Sequence, residues 1–230
     1  MLEISGLDFR YVNVHALKNI SIKVDEKAIV SVIGKRNSGK STLFKIIAGL
    51  KDPDAGDVFY AKKSILKKDR YKNLNGEVIC IERDHGLFLG LTVKENIELG
   101  AWQVNDRLIL RNRLDMMLEF IPYLEKSFNV PAFKLHAGEQ MLTLIARAIF
   151  AKPKLIIIDE PTFGLYQLFA DKVLELIHRV NIDLEIAFLL MQQNAIEAVK
   201  IADWIYELEN GEIIKQGDKK AFEYFDCIDI

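Results

Sequence analysis

Residues 34–42 read Gly-Lys-Arg-Asn-Ser-Gly-Lys-Ser-Thr, directly after the apolar run from Ala28 to Ile33. The pattern G-x-x-x-x-G-K-[ST] needs a strand before it and a helix after it, so it commits the chain to a strand-loop-helix unit. Gly34 and Gly39 permit the tight turn that aims successive backbone N–H groups inward, towards phosphate oxygens. The helix opening near Lys40 adds its unsatisfied N–H groups and the positive end of its dipole. Lys40 supplies a mobile cation for the outer phosphates, and the Ser41 hydroxyl is placed to ligate Mg²⁺. Asn37 and Ser38 complete the loop and Thr42 follows it into the helix. Together these residues predict a nucleoside triphosphate site.

The remaining pattern supports an α/β frame. Residues 2–10 and 16–24 alternate apolar and polar side chains and read as strands joined by a turn near Val12-Asn13. Strands are also expected at 28–33, 57–60 and 78–81, and helices at 40–50, 93–100 and 106–120. Asp52 to Gly56 reads as a turn. From residue 139 the expected order is helix 139–151, strand 154–159, helix 165–180, strand 184–190, helix 194–201 and strand 204–208, with a turn at Asn210-Gly211. Such alternation implies a largely parallel sheet covered by helices, with ligands beyond the strands' carboxyl ends. The run Leu155 to Ile158, ending in Asp159 and Glu160, brings two carboxylates to that same edge. Asp159 is suited to hold Mg²⁺, and Glu160 to orient and polarise an attacking water.

Composition narrows the partners. The 230 residues carry 33 acidic and 31 basic side chains, a formal charge of −2, so no global basic field points to nucleic acid. The lysines and arginine of 62–75 (Lys62, Lys63, Lys67, Lys68, Arg70, Lys72) fit a solvated face or an anion-facing patch. Cys80 and Cys227 lack metal-ligand spacing and read as reduced thiols. Met1 leads almost directly into a strand, with no basic-then-apolar leader. No run approaches the ~18 apolar residues that span a bilayer. Any membrane role is therefore expected through a partner.

Between the phosphate loop and the Asp-Glu strand lies Leu135-His136-Ala137-Gly138-Glu139-Gln140-Met141, opening a helix. The three segments in this order resemble the nucleotide-binding subunit of an ABC transporter, over essentially the whole chain. The resemblance implies a P-loop NTPase of ABC type: a mainly parallel core sheet, an N-terminal antiparallel β subdomain and a helical subdomain. It places the ATP-binding core at about 1–84 and 152–230 and the helical part at about 85–151. It implies ATP and Mg²⁺ as ligands, and Tyr11 as the aromatic that stacks on adenine. Within the family, Leu91 to Ala101, Gln140 to Leu142, Leu190 to Ala195 and Leu208 to Ile213 are similar to the smaller ATPase subunit of branched-chain amino acid importers. The implied partners are transmembrane permease subunits and a second ATPase subunit. The implied location is the cytoplasmic face of the inner membrane, peripheral and reached through the permease. Phe88, Leu89, Leu91 and Trp102 are candidates for the permease contact, with core packing as the alternative for each. A soluble ABC protein acting on ribosomes or DNA usually has paired ATPase domains or long coiled-coil insertions, and neither is present.

Cassettes of this family pair head to tail, each phosphate loop facing the partner's L-S-G-G segment. Here His136 stands for the serine and Ala137 for the first glycine, while Gly138 and Glu139 remain. Ala137 adds a Cβ where backbone must approach a ligand. These changes fall on the site containing the partner's phosphate loop, so an asymmetric heterodimer is favoured. Arg83 aligns with the glutamine that links metal to permease, and a guanidinium cannot ligate Mg²⁺. Gln193 takes the position of the switch histidine, and Asn37 that of a loop glycine, where Asn tolerates positive φ. Tyr166 stands where many relatives have Asp. The alternative function is a nucleotide-binding regulatory subunit with weak hydrolysis.

Overall fold

The computed structural model describes residues 1–66, 74, 76–83 and 86–222. Lys67, Lys68, Arg70 and Lys72 of the basic run, and Cys227, lie outside these residues. Alternating burial over Leu2–Tyr11 (β1) and Val14–Val24 (β2) makes a two-faced antiparallel pair around the Val12-Asn13 turn. Ile29–Ile33 (β3) is buried throughout, leads into the phosphate loop, and is followed by Lys40–Ile47 (α1). Ala55–Tyr60 (β4) pairs with β1, and Lys63–Ser64 (β5) closes the four-stranded sheet in the order β2-β1-β4-β5. β4 begins at Ala55 rather than at 57, because Ala55 itself pairs with Asp8 across a β1 irregularity.

Val78–Ile81 (β6) precedes a helical stretch: Val93–Glu98 (α2), Arg107–Phe120 (α3) and Ala137–Ala151 (α4). The helix expected over 93–100 gives way after Glu98 to a 3₁₀ turn at Leu99–Ala101. Thr92 caps α2 in a reciprocal capping box with Glu95. Fully buried Asn96 ties α2 to the preceding loop, accepting from the Phe88 N–H (2.9 Å) and donating to the Phe88 and Thr92 carbonyls (3.0 Å each). Leu155–Asp159 (β7), Gln167–Leu184 (α5), Ala187–Gln192 (β8), Ala195–Ile201 (α6), Trp204–Glu209 (β9) and Glu212–Gly217 (β10) complete the alternation.

The second sheet runs β10-β9-β3-β8-β7-β6, parallel except for the edge pair β9/β10. Its central strands are aliphatic because both faces are covered. Leu155 and Ile157 of β7 pack into a cluster with Leu2, Leu17 and Phe44. Ile156 and Ile158 pack into another with Ile145, Ile149 and Ile177. Full burial of each such side chain stabilises by about 1.5–3 kcal/mol. Two apolar clusters thus lock the sheet in place and aim its carboxyl edge at one loop region. Among the described residues no helix is long and apolar enough to cross a membrane.

Candidate functional site

β3, β7 and β8 end side by side, so the phosphate loop, Asp159-Glu160 and Gln192-Gln193 meet at one sheet edge. The Gly34 N–H donates to the Gln192 carbonyl (3.3 Å) and that of Glu160 to the Met191 carbonyl (2.8 Å), joining the three strand ends. Above them opens a cavity of about 930 Å³, lined by the loop, the β1–β2 hairpin and the segment after β7. Tyr11, Asn37, Gly39, Lys40, Ser41, Thr42, Glu160 and Gln193 all line it.

The loop's shape rests on two left-handed residues, Asn37 (φ 68°) and Gly39 (φ 115°). Asn adopts that region more readily than other side-chain-bearing residues, so its presence is compatible with the turn. Gly39 has no such substitute, because a Cβ there would lie 2.6 Å from the Ala16 carbonyl oxygen. Lys40 is 4% exposed, and its Nζ donates to the carbonyls of Gly34 (2.6 Å) and Lys35 (3.1 Å), with Glu160 Oε1 at 3.6 Å. Burial lowers the Lys40 pKa, while the Glu160 and Asp159 carboxylates pull it back up. The buried Ser38 hydroxyl has no hydrogen-bond partner among the described residues.

Glu160 takes a left-handed backbone (φ 54°) directly after β7, which turns its side chain back over the loop. Its Oε2 accepts the Gln193 N–H at 3.2 Å. Burial pushes the Glu160 carboxyl upward, opposed by Lys40 and by hydrogen bonds from Gln193. Asp159 is also raised by burial, against a hydrogen bond from Ser41 and the charges of Lys40 and Arg83. Its Oδ1 is buried and has no hydrogen-bond partner among the described residues. A buried carboxylate oxygen without a donor, beside a serine hydroxyl, fits a hard cation that takes its other ligands from phosphate and water. The residues present therefore fit a triphosphate with Mg²⁺, held by Ser41 and Asp159.

Tyr11 is 40% exposed, its hydroxyl lies 3.4 Å from Thr42 Oγ1, and the Lys51 ammonium stands 5.0 Å from its ring centroid. The ring is thus tied to α1 at the mouth of the cavity. His136, Ala137, Gly138 and Glu139 do not line this cavity. They form the start of α4, where the His136 N–H donates to Glu139 Oε2 (3.0 Å) and His136 and Ala137 are exposed. Tyr166, at the N-cap of α5, is 86% exposed.

Sequence reasoning missed His15, Phe163 and Gly211 as cavity residues. His15 is held by Asp8 (2.6 Å) across the hairpin, a pairing between strands that no local motif announces. Gly211 donates to the Ser38 carbonyl (3.0 Å), so the Asn210-Gly211 turn braces the phosphate loop.

The dimeric, post-hydrolysis ATP-binding cassette MJ0796 bound to ADP and Pi shares the fold, with a TM-score of 0.83 at 24% identity over 95% of this chain and 99% of that one. Several curated relatives match nearly end to end. The high-affinity branched-chain amino acid transport ATP-binding protein BraG of Pseudomonas aeruginosa is 30% identical, covering 93% of this chain and 91% of its own. The probable branched-chain amino acid transport ATP-binding protein LivF of Archaeoglobus fulgidus is also 30% identical, covering 94% and 92%. The xylose/arabinose import ATP-binding protein XylG of Sulfolobus acidocaldarius is 31% identical, covering 93% and 86%. The family model described as ABC transporter matches residues 17–163, from within β2 to just past Glu160. That span takes in the phosphate loop and the Asp159-Glu160 strand end, and the chain belongs to the ABC transporter family.

Proposed function

We propose that the chain is the ATP-hydrolysing subunit of an importer for branched-chain amino acids, working as half of a head-to-tail dimer. The observation that carries this is the convergence of Lys40, Ser41, Asp159 and Glu160 at one sheet edge. On nucleotide binding, Lys40 exchanges the Gly34 and Lys35 carbonyls for phosphate oxygens. Loop N–H groups and the α1 N-terminus bind the remaining oxygens. Tyr11 offers its ring to the base. Ser41 and Asp159 hold Mg²⁺, which neutralises charge on the phosphates when bound. Glu160 accepts a hydrogen bond from the attacking water and aligns it with the γ-phosphate, with Gln193 fixing the carboxylate. In this reading, residues of about 1–84 and 152–230 do the chemistry and those of about 85–151 serve the partners.

An apolar recess of about 400 Å³ between β6, α4 and the loop before α2 supports the permease partner. Phe88 (59% exposed) and Trp102 (73% exposed) stand at it as uncovered aromatic surface. The permease would seat there on the cytoplasmic side of the membrane. The branched-chain substrate class rests on BraG and LivF together with the segments at 91–101 and 190–195. Uptake of labelled leucine and of labelled xylose by the assembled transporter tests it, and xylose uptake alone would overturn it.

His136 and Ala137 favour unequal sites, because they are presented to the partner's nucleotide. In a heterodimer this chain's own loop meets an intact partner segment and turns over, while the partner's loop meets His136-Ala137 and lags. Turnover of the assembled transporter with Glu160→Gln here, then with the equivalent change in the partner, tests the asymmetry. Equal losses would rule it out. The second reading, a regulatory subunit with weak hydrolysis, is favoured by Arg83, His136, Ala137 and Tyr166. It predicts micromolar-class ATP affinity, a Kd of about 1–100 μM, with turnover unaffected by Glu160→Gln.

A further inference from the structure

Glu197 is a buried carboxylate that does not line the nucleotide cavity. It sits in the first turn of α6 and accepts a hydrogen bond from the Thr162 hydroxyl. Among the described residues no cation pairs with it, and that hydroxyl is its one donor. A buried carboxylate stripped of its donor is costly, so the fold keeps this bond.

Thr162 lies two residues past Glu160, and Glu197 four past Gln193. The same two segments are therefore joined twice. Glu160 Oε2 accepts the Gln193 N–H at 3.2 Å, and Glu197 accepts the Thr162 hydroxyl. One contact alone is a pivot; two set the angle between the segments. The Asn194 side chain accepts from the Ile196 N–H (3.0 Å), capping α6 and holding the stretch from Gln193 to Glu197 in one shape. The turn after β7 is closed by the Phe163 N–H on the Glu160 carbonyl (3.3 Å) and the Leu165 N–H on the Thr162 carbonyl (3.1 Å). Phe163 also stacks on Arg83, whose guanidinium carbon lies 3.4 Å from the ring centroid. The turn is thus held by α6 on one side and by the segment after β6 on the other. Glu160 itself is left-handed at φ 54°, a backbone that persists at a side-chain-bearing residue only where its surroundings hold it.

We propose that Glu197 is a positioning residue for hydrolysis: by holding Thr162 it fixes the turn after β7 against α6, and so the direction in which Glu160 presents its carboxylate. Glu197 touches neither nucleotide nor water and acts through Glu160. A displacement of about 1 Å at a catalytic group can cost about 10²-fold in rate, so a bond outside the cavity carries weight inside it. This inference rests on the reading of Glu160 as the base and adds what aims it.

The test sets ATP turnover of the assembled transporter beside two measurements on the full chain, affinity for a non-hydrolysable ATP analogue and the urea midpoint. Thr162→Val should lower kcat by about 10–10²-fold, with analogue affinity within about threefold. It should also lower the midpoint, because Glu197 loses its donor. Thr162→Ser keeps the hydroxyl and should hold kcat within about threefold of wild type. Thr162→Val combined with Glu197→Met removes both partners, so the midpoint should return towards wild type while kcat stays as low as in Thr162→Val alone. Recovery of kcat together with the midpoint overturns the proposal and marks a purely structural bond. So does wild-type kcat in Thr162→Val, or a Thr162→Ser as slow as Thr162→Val. If Thr162→Val does not fold, the double variant against Thr162→Ser decides by the same comparison. A wild-type transporter that binds the analogue but does not hydrolyse ATP overturns the reading of Glu160 as the base instead.

Discussion

At the residue scale the site turns on a few buried charges. Glu160→Gln keeps the shape and the Gln193 contact but removes the proposed base, so ATP turnover should fall by roughly 10²–10⁴-fold. Nucleotide affinity should stay within about threefold. Steady-state kinetics alongside equilibrium binding checks both, and a parallel loss of affinity would assign Glu160 to binding. The ionised form is the competent one, and burial holds the Glu160 carboxyl above the ordinary glutamate range. The rate therefore rises with pH through that raised pKa, and the acid limb of kcat/KM lies above that of an exposed glutamate. An acid limb in the ordinary glutamate range would exclude Glu160 as its source. Gly34 to Thr42 and Ile156 to Glu160 were legible in the sequence because each is a contiguous stretch whose chemistry depends on its neighbours. The Arg83–Phe163 stack and the His15–Asp8 pair were not, since strand order brings those partners together from distant positions.

Helices and strands were legible as kinds and less so at their ends. The apolar run through 184–190 suggests a single strand. Leu184 instead closes α5, Glu185 turns left-handed at φ 57°, and β8 starts at Ala187. Apolar character alone does not separate a helix's last buried turn from the strand that follows. α4 likewise starts at Ala137 rather than at 139, because His136 takes an extended N-cap conformation. This start brings Gly138 against α5, where an added Cβ would lie 2.5 Å from the Phe169 ring. Gly138→Ala should destabilise the fold by about 1–3 kcal/mol through overpacking, read as a lower urea midpoint at unchanged slope. An unchanged midpoint would mean that Phe169 swings aside without cost.

For the whole molecule, the recess proposed for the permease lies apart from the nucleotide cavity and shares no lining residue with it. Trp102→Asp should abolish co-purification with the permease while leaving ATP affinity of the isolated chain within about threefold. Retained co-purification would move the docking site elsewhere. The resemblance singles out Phe88 and Trp102 of the recess, but not Ile79, Leu144 or Ala148, because β6, α4 and the loop before α2 form it only when packed together. The central sheet carries a further consequence. Odd and even residues of β7 belong to different apolar clusters, so one strand is a wall common to both. Neither compartment can melt and leave that wall standing. Heat should therefore take the chain apart in a single step, with calorimetric and van't Hoff enthalpies in agreement.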